Sequence, residues 1–243
     1  VLTTPNNILG LEYIKSIIRQ NSSIVPLTTK RCGSDYHDIR LGLNQSSASA
    51  IRQALWTGVS LPELENQMPA SSYAILSEYL KHNQLLHLND FSEVLYYKLL
   101  SEHDKGFSDY VDVSPALSDR ICNNLYRFSG YEAFCDVLKT KEVTYSRISR
   151  CLFHILLNMR KDDLNTYMTT LGITPYARVL GFKKEAAPLL SEIDKHTTIP
   201  LVTKLTDANK QLDEAAYSML KKEIMMNDIY SSIRASKAKV PMI

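Results

Sequence analysis

Ile8, Leu11, Ile14, Ile17 and Ile18 recur at the three-and-four spacing of one helix face. They predict a helix over residues 8–20, with Asn6 or Asn7 as N-cap and Asn21-Ser22-Ser23 as its stop. Ile24-Val25-Pro26-Leu27 reads as a short strand that delivers Thr28 to Arg31 at its end. Residues 32–45 form a polar loop, after which Ser47 or Ser49 can cap a helix carrying Ile51, Arg52, Leu55 and Trp56.

From residue 66 onward the pattern is helical. Helices are expected over residues 74–80, over 91–100 with Asp90 as cap, and from Ser114-Pro115 through Leu117, Ile121 and Leu125, a cap followed by proline at the first helical position. Another covers residues 130–138. The strongest runs from Tyr145 to about Met159, where Ile148, Cys151, Leu152, Ile155, Leu156 and Met159 make an unbroken stripe. Residues 177–182 and 199–203 flank a helix over 184–193 as a small strand-helix-strand unit. A last long helix over 207–232 turns Leu212, Ala215, Ala216, Met219 and Leu220 inward, then gives way to a basic tail with Arg234, Lys237 and Lys239.

Composition changes this picture little. The chain has 243 residues, 44% hydrophobic and 22% charged, enough for one large core or two modest ones. A net charge of +2 is too mild to define a nucleic-acid partner, so a basic footprint has to be local. Cys32, Cys122, Cys135 and Cys151 are far apart, with no Cys-x-x-Cys and no neighbouring histidine pair; they read as reduced thiols, and no metal site is expected. No membrane segment and a cytoplasmic location are expected. The chain begins at Val1 and runs almost at once into a motif and a helix, so a fragment is expected.

Residues 5–52 hold the clusters whose types point to chemistry. Asn6-Asn7, Thr29-Lys30-Arg31 and Ser46 to Arg52 place polar or cationic side chains at the mouths of regular elements. There the free backbone N–H groups and the helix dipole favour an anion, phosphate being the natural guest. A second cluster, Lys139, Lys141, Tyr145, Arg147 and Arg150, puts arginines in the first two turns of a helix, where the dipole prefers an acid. An external phosphate would fill that role, with Tyr145 as a stacking surface among the cations. His154 reads as a helix-face residue without chemistry, and Asp112 and Asp119 as serving caps and dipoles.

Pro5-Asn6-Asn7-Ile8-Leu9-Gly10 with Tyr13, then Thr29-Lys30-Arg31, Tyr36-His37-Asp38 and Ser47-Ala48-Ser49-Ala50-Ile51-Arg52, closely resemble the bacterial tRNA(Met) cytidine acetate ligases, nucleotidyltransferase-like enzymes of the HIGH superfamily. The likeness continues through Lys139-Thr140-Lys141, Thr144 to Arg150, Leu171-Gly172 and Tyr176 to Phe182. It implies an enzyme that activates acetate with ATP as acetyl-adenylate and transfers acetyl to N4 of the wobble cytidine of elongator tRNA(Met). ATP, with Mg2+ accompanying it, acetate and tRNA are the implied partners.

The implied fold is α+β and mainly α. Residues 1–65 would be the C-terminal piece of a Rossmann-like nucleotidyltransferase domain, and residues 66–243 a mainly helical tRNA-binding domain with the strand-helix-strand unit. Residue by residue, Asn6 and Arg31 match the family's ATP-binding Asn and Arg, and Ser47, Ser49 and Arg52 match its phosphate-binding pattern. The family's His-x-Gly-His motif is absent: His82 and His87 stand five apart without a glycine. No catalytic residue is therefore assigned, and the chain alone is expected to be inactive. Two other classes fit the residues: a non-catalytic helical RNA-binding or protein-interaction module, and another adenylyltransferase of the superfamily.

Overall fold

A computed structural model describes residues 5–29, 40–42, 45–172 and 174–239. The chain divides into two compact units, Val1–Lys81 and His82–Ile243.

The regular elements of the first unit are all helical among its described residues. Helix α1 spans Pro5–Arg19. It starts earlier than expected because Pro5, with no N–H to lose and φ already near the helical value, suits a first turn. Asn6 and Asn7 therefore lie inside the helix and do not cap it. Asn21, at φ 48°, ends it. The strand expected over residues 24–27 does not form: Ile24, Val25 and Leu27 are 65%, 76% and 90% exposed and belong to no ladder among the described residues. A strand needs a paired edge, and Pro26 has no donor to offer one.

Helix α2, Ala48–Trp56, is capped by Ser47, whose Oγ accepts from Ala50 N at 3.0 Å. Gly58, at φ 82°, closes it, and Val59 N donates back to Ala54 O. Helix α3 follows at Ala70–His82.

The second unit packs a helical bundle and a small α/β element. Helices α4 (Ser92–Glu102), α5 (Pro115–Asn124), α6 (Tyr131–Leu138) and α7 (Tyr145–Leu156) enclose the larger apolar cluster. Leu95, Leu99, Ile121, Phe134, Leu138, Ile148, Leu152 and Ile155 in it are completely buried. Each such side chain contributes roughly 1.5–3 kcal/mol relative to exposure. The stripe expected on α7 is the buried face from Ile148 to Leu156, Met159 lying half-buried beyond the helix, and the Ser114-Pro115 start of α5 is as expected, with Ser114 Oγ accepting from Leu117 N at 3.2 Å. Helix α7 stops three residues short of Met159. Asn158 takes φ 55°, and Met159 N donates to His154 O at 2.8 Å, a left-handed closure that an interior helical residue cannot make. Asp90 does not cap α4; it accepts from His87 N in a capping box one turn earlier.

The short helix α8 (Lys161–Thr166) runs into a π-turn at Tyr167–Leu171. Strands β1 (Ala177–Arg178) and β2 (Leu201–Val202) pair in parallel around α9 (Ala187–His196), so the strand-helix-strand unit exists with strands of two residues each. The long final helix is interrupted. Helix α10 (Ala208–Gln211) ends before Leu212, and Asp213 caps α11 (Glu214–Ala238), its Oδ1 accepting from Ala216 N at 2.8 Å. Arg234 and Lys237 lie in α11, not in a tail, and Lys237 Nζ pairs with Asp90 at 2.6 Å. Ala216 and Leu220 of α11 belong to a smaller cluster with Tyr176, Val202, Ala208 and Leu212, while Ile233 of the same helix joins the larger one.

Candidate functional site: an anion-binding helix start and a cationic helix end

In the first unit, the segment entering α2 is held by Gln67. This side chain, 8% exposed, accepts from Ser46 Oγ at 2.6 Å and donates to Gly42 O at 3.1 Å, while Gly42 N donates to Ser46 Oγ at 2.8 Å. The N-terminus of α2 thus has a fixed approach. Ser47 is buried and its oxygen is engaged as the cap, so its place in the structure is that of a helix-start residue. Ser49 is half-buried in the first turn. Arg52, one turn in, is exposed, and its guanidinium meets no carboxylate among the described residues. No acid occupies the first turn of α2, which leaves the positive end of its dipole to an incoming anion. Asn6 is exposed near the start of α1. Arg31, with Lys30 and Tyr36-His37-Asp38, lies outside the described residues, so the expected grouping of Asn6, Arg31 and Arg52 is not a described geometry.

In the second unit, the loop after α6 is tightly made. Thr140 Oγ1 accepts from Glu142 N at 3.2 Å and Val143 N at 3.0 Å, and Thr144 then caps α7 by accepting from Arg147 N at 3.4 Å. Lys139, Lys141, Arg147 and Arg150 are exposed around this helix start, which carries no acid in its first turn. Among the described residues the side chains of Lys139, Lys141 and Arg147 meet no carboxylate. Arg150 differs, its Nε donating to Asp112 Oδ2 at 2.8 Å. Asp112 is therefore an ion-pair partner and not a cap, as the sequence reading had it.

Tyr145, the expected stacking residue, is half-buried. It packs against the larger cluster, and burial, followed by the nearby Cys135, raises its hydroxyl pKa. His154 is an anchor more than a bare helix-face residue: its side chain is 13% exposed and Nδ1 lies 2.9 Å from Val111 O.

A polar network absent from the sequence reading joins α4 to the segment before α8. Glu102 meets Lys98 Nζ at 2.5 Å, the Tyr110 hydroxyl, and Arg160 at 3.2 Å, while Arg160 also lies 4.7 Å from the centre of the Tyr110 ring. Burial raises the Glu102 carboxyl pKa, but the hydrogen bonds and charges of Lys98, Tyr110 and Arg160 outweigh it and hold the group below the ordinary carboxylate range. The partners of Glu102 stand 4 to 58 positions from it, and no spacing rule links them.

The model for the HIGH Nucleotidyl Transferase family matches residues 1–241. The chain belongs to this family. The tRNA(Met) cytidine acetate ligase of Clostridium acetobutylicum is 35% identical over 240 residues, covering 96% of this chain and 58% of the relative. That of Clostridium kluyveri is 36% identical over 239 residues with the same coverage. Thermotoga maritima TmcAL in its apo form I superposes with a TM-score of 0.79 at 26% identity, over 96% of this chain and 56% of that one. The same protein bound with alpha-thio ATP gives a TM-score of 0.75 at 25% identity and the same coverage. The chain thus spans somewhat under three-fifths of the proteins it matches. The family membership agrees with the fold, mainly helical with one small parallel sheet.

Proposed function

We propose that this chain supplies the acceptor-binding part, and one wall of the ATP site, of a tRNA(Met) cytidine acetate ligase acting in the cytoplasm. The enzyme activates acetate with ATP, accompanied by Mg2+, as acetyl-adenylate, and acetylates N4 of the wobble cytidine of elongator tRNA(Met). What carries the reading is similarity over 96% of this chain to relatives bearing that name, at 35–36% identity. The ATP-analogue complex of the Thermotoga protein supports the nucleotide part.

Residues 1–65 belong to the nucleotide side. Carboxylate attack at the α-phosphorus builds negative charge on the non-bridging oxygens and on departing pyrophosphate, which fixed N–H donors and arginines stabilise. The α2 start, with Ser49 and Arg52, offers both kinds of group, and Asn6 and Arg31 complete the set by resemblance. Residues from 66 onward form the tRNA side. Lys139, Lys141, Arg147 and Arg150 at the α7 start bind phosphates, whose charge the helix dipole also favours.

The test uses the full-length protein with ATP, labelled acetate and tRNA(Met). Pyrophosphate release and acetyl incorporation into the tRNA are expected, and Arg52→Ala and Arg31→Ala each depress adenylate formation while leaving tRNA affinity unchanged. Turnover with a different acid in place of acetate, or equal loss of both properties, overturns the assignment.

A further inference from the structure

Between α8, its π-turn and α11, wholly within the second unit, lies a cavity of about 330 Å3, in the lower part of the roughly 300–1,000 Å3 span of small-molecule sites. Its walls are mostly apolar: Met159, Leu164, Met219 and Met226, with the rings of Tyr167 and Tyr176. Two observations narrow what fits there.

First, the charges at its edge are already neutralised in pairs. Lys222 is bound to Asp163, Arg160 to Glu102, and Arg178 to Glu223, which also accepts from the Tyr176 hydroxyl at 3.1 Å. A phosphate or carboxylate gains little from such a rim, so the occupant is uncharged. Second, the Tyr167 hydroxyl is buried and has no hydrogen-bond partner among the described residues. An unpaired buried hydroxyl costs on the order of 1–3 kcal/mol, and a guest with a carbonyl or ring nitrogen removes that cost once the ring turns its hydroxyl toward the cavity, where an aliphatic guest does not. Tyr167 opens a π-turn, a local irregularity frequent at functional sites. Polarisable methionine sulfurs and tyrosine faces suit a flat π-system.

Resting on the tRNA-binding reading above, we infer that this cavity receives one unstacked base of the bound RNA, paired through Tyr167. The approach to the cavity supports an RNA source over a free nucleotide. Met159 follows the end of α7 at Leu156, and Arg147, near the other end of that helix, stands roughly 14 Å from Leu156 at 1.5 Å per residue. One short stretch of RNA can lay its backbone on the cations and its base in the cavity. A free nucleotide would bring its phosphates to a rim with no unpaired charge.

The test measures binding of this chain to elongator tRNA(Met) transcripts, each with a single abasic nucleotide. One position is expected to lose about tenfold or more in affinity, the worth of a stacked base. Leu164→Trp, which fills the mouth from a 41% exposed position, and Tyr167→Phe should each weaken intact tRNA and shrink the penalty at that same position. Leu164→Trp should unfold at the parent's temperature, and Tyr167→Phe at the same temperature or higher, since it removes an unpaired buried hydroxyl. If no position is sensitive, if the penalty persists undiminished in Leu164→Trp, or if that variant weakens ATP and not tRNA, the cavity assignment is overturned while the tRNA reading stands. Absence of tRNA binding in the parent chain removes the tRNA reading itself and this inference with it.

Discussion

Arg150 Nε donates to Asp112 Oδ2 at 2.8 Å, so one of the two α7 arginines is partly neutralised before any RNA arrives. Arg147, three residues earlier and exposed, meets no such acid among the described residues. Arg147→Ala is therefore expected to weaken tRNA binding more than Arg150→Ala. It should also lower the slope of log K against log salt by about 0.7–0.9, one full phosphate contact. Asp112→Asn keeps a residue type tolerant of φ 63° and releases Arg150, so it should tighten binding. Filter binding across a salt series checks all three, and equal losses for the two arginines would show that the ion pair does not matter.

Ser47 and Ser49 stand two residues apart and should separate cleanly. Removing the Ser47 hydroxyl loses the α2 cap, a loss of about 1 kcal/mol in unfolding free energy. Ser49→Ala should leave stability nearly unchanged and reduce ATP-dependent pyrophosphate release by the full-length protein. Urea unfolding and a pyrophosphate assay distinguish the two roles.

The Glu102 network gives a pH signature. Its folded carboxyl pKa is held below the unfolded value, so its stabilising contribution is fully present above the ordinary carboxylate range and is lost as pH falls through the folded value. Glu102→Gln should cost about 1–3 kcal/mol near pH 7, because Lys98 and Arg160 lose their shared acceptor. The gap between variant and parent should close as the solution is acidified below the ordinary carboxylate range. Denaturant unfolding at several pH values measures it, and a gap constant with pH would rule out a charged Glu102 as the source.

Cys135 and Cys151 are fully buried, and burial, followed by nearby acids, pushes the Cys135 thiol up to about 12. Burial raises Cys151 as well. Only a thiolate alkylates quickly, so iodoacetamide at pH 8 should leave both intact in the folded protein and modify both in urea. Peptide mass spectrometry reads the outcome directly.

Periodicity carried the helical bundle well: every apolar position of the α7 stripe from Ile148 to Leu156 is buried, and Ser114-Pro115 marked the start of α5. Local rules failed where a partner from elsewhere in the chain decides. Ile24 to Leu27 has strand composition, yet no ladder takes it up among the described residues. The break at Leu212 and Asp213 lies hidden inside a continuous helical pattern, since an aspartate can sit in a helix or cap one.

For the candidate sites, the capped, acid-free starts of α2 and α7 were legible from residue types, because caps and dipoles are local. That Tyr145 packs against the larger cluster, that Asp112 holds Arg150, and that a methionine-lined cavity opens beside α8 all depend on contacts between residues well apart in sequence. The methionines at 159, 219 and 226 carried the only hint, and methionines in a helical face ordinarily mean packing.

Helix α11 enters the smaller apolar cluster at Ala216 and the larger one at Ile233, 17 residues or roughly 26 Å along a single rod. Neither cluster can come apart without fraying a stretch of backbone that the other also needs. Residues 82–243 should therefore melt in one step, with amides near Leu220 and Ile233 exchanging hydrogen at a common rate despite sitting in separate clusters.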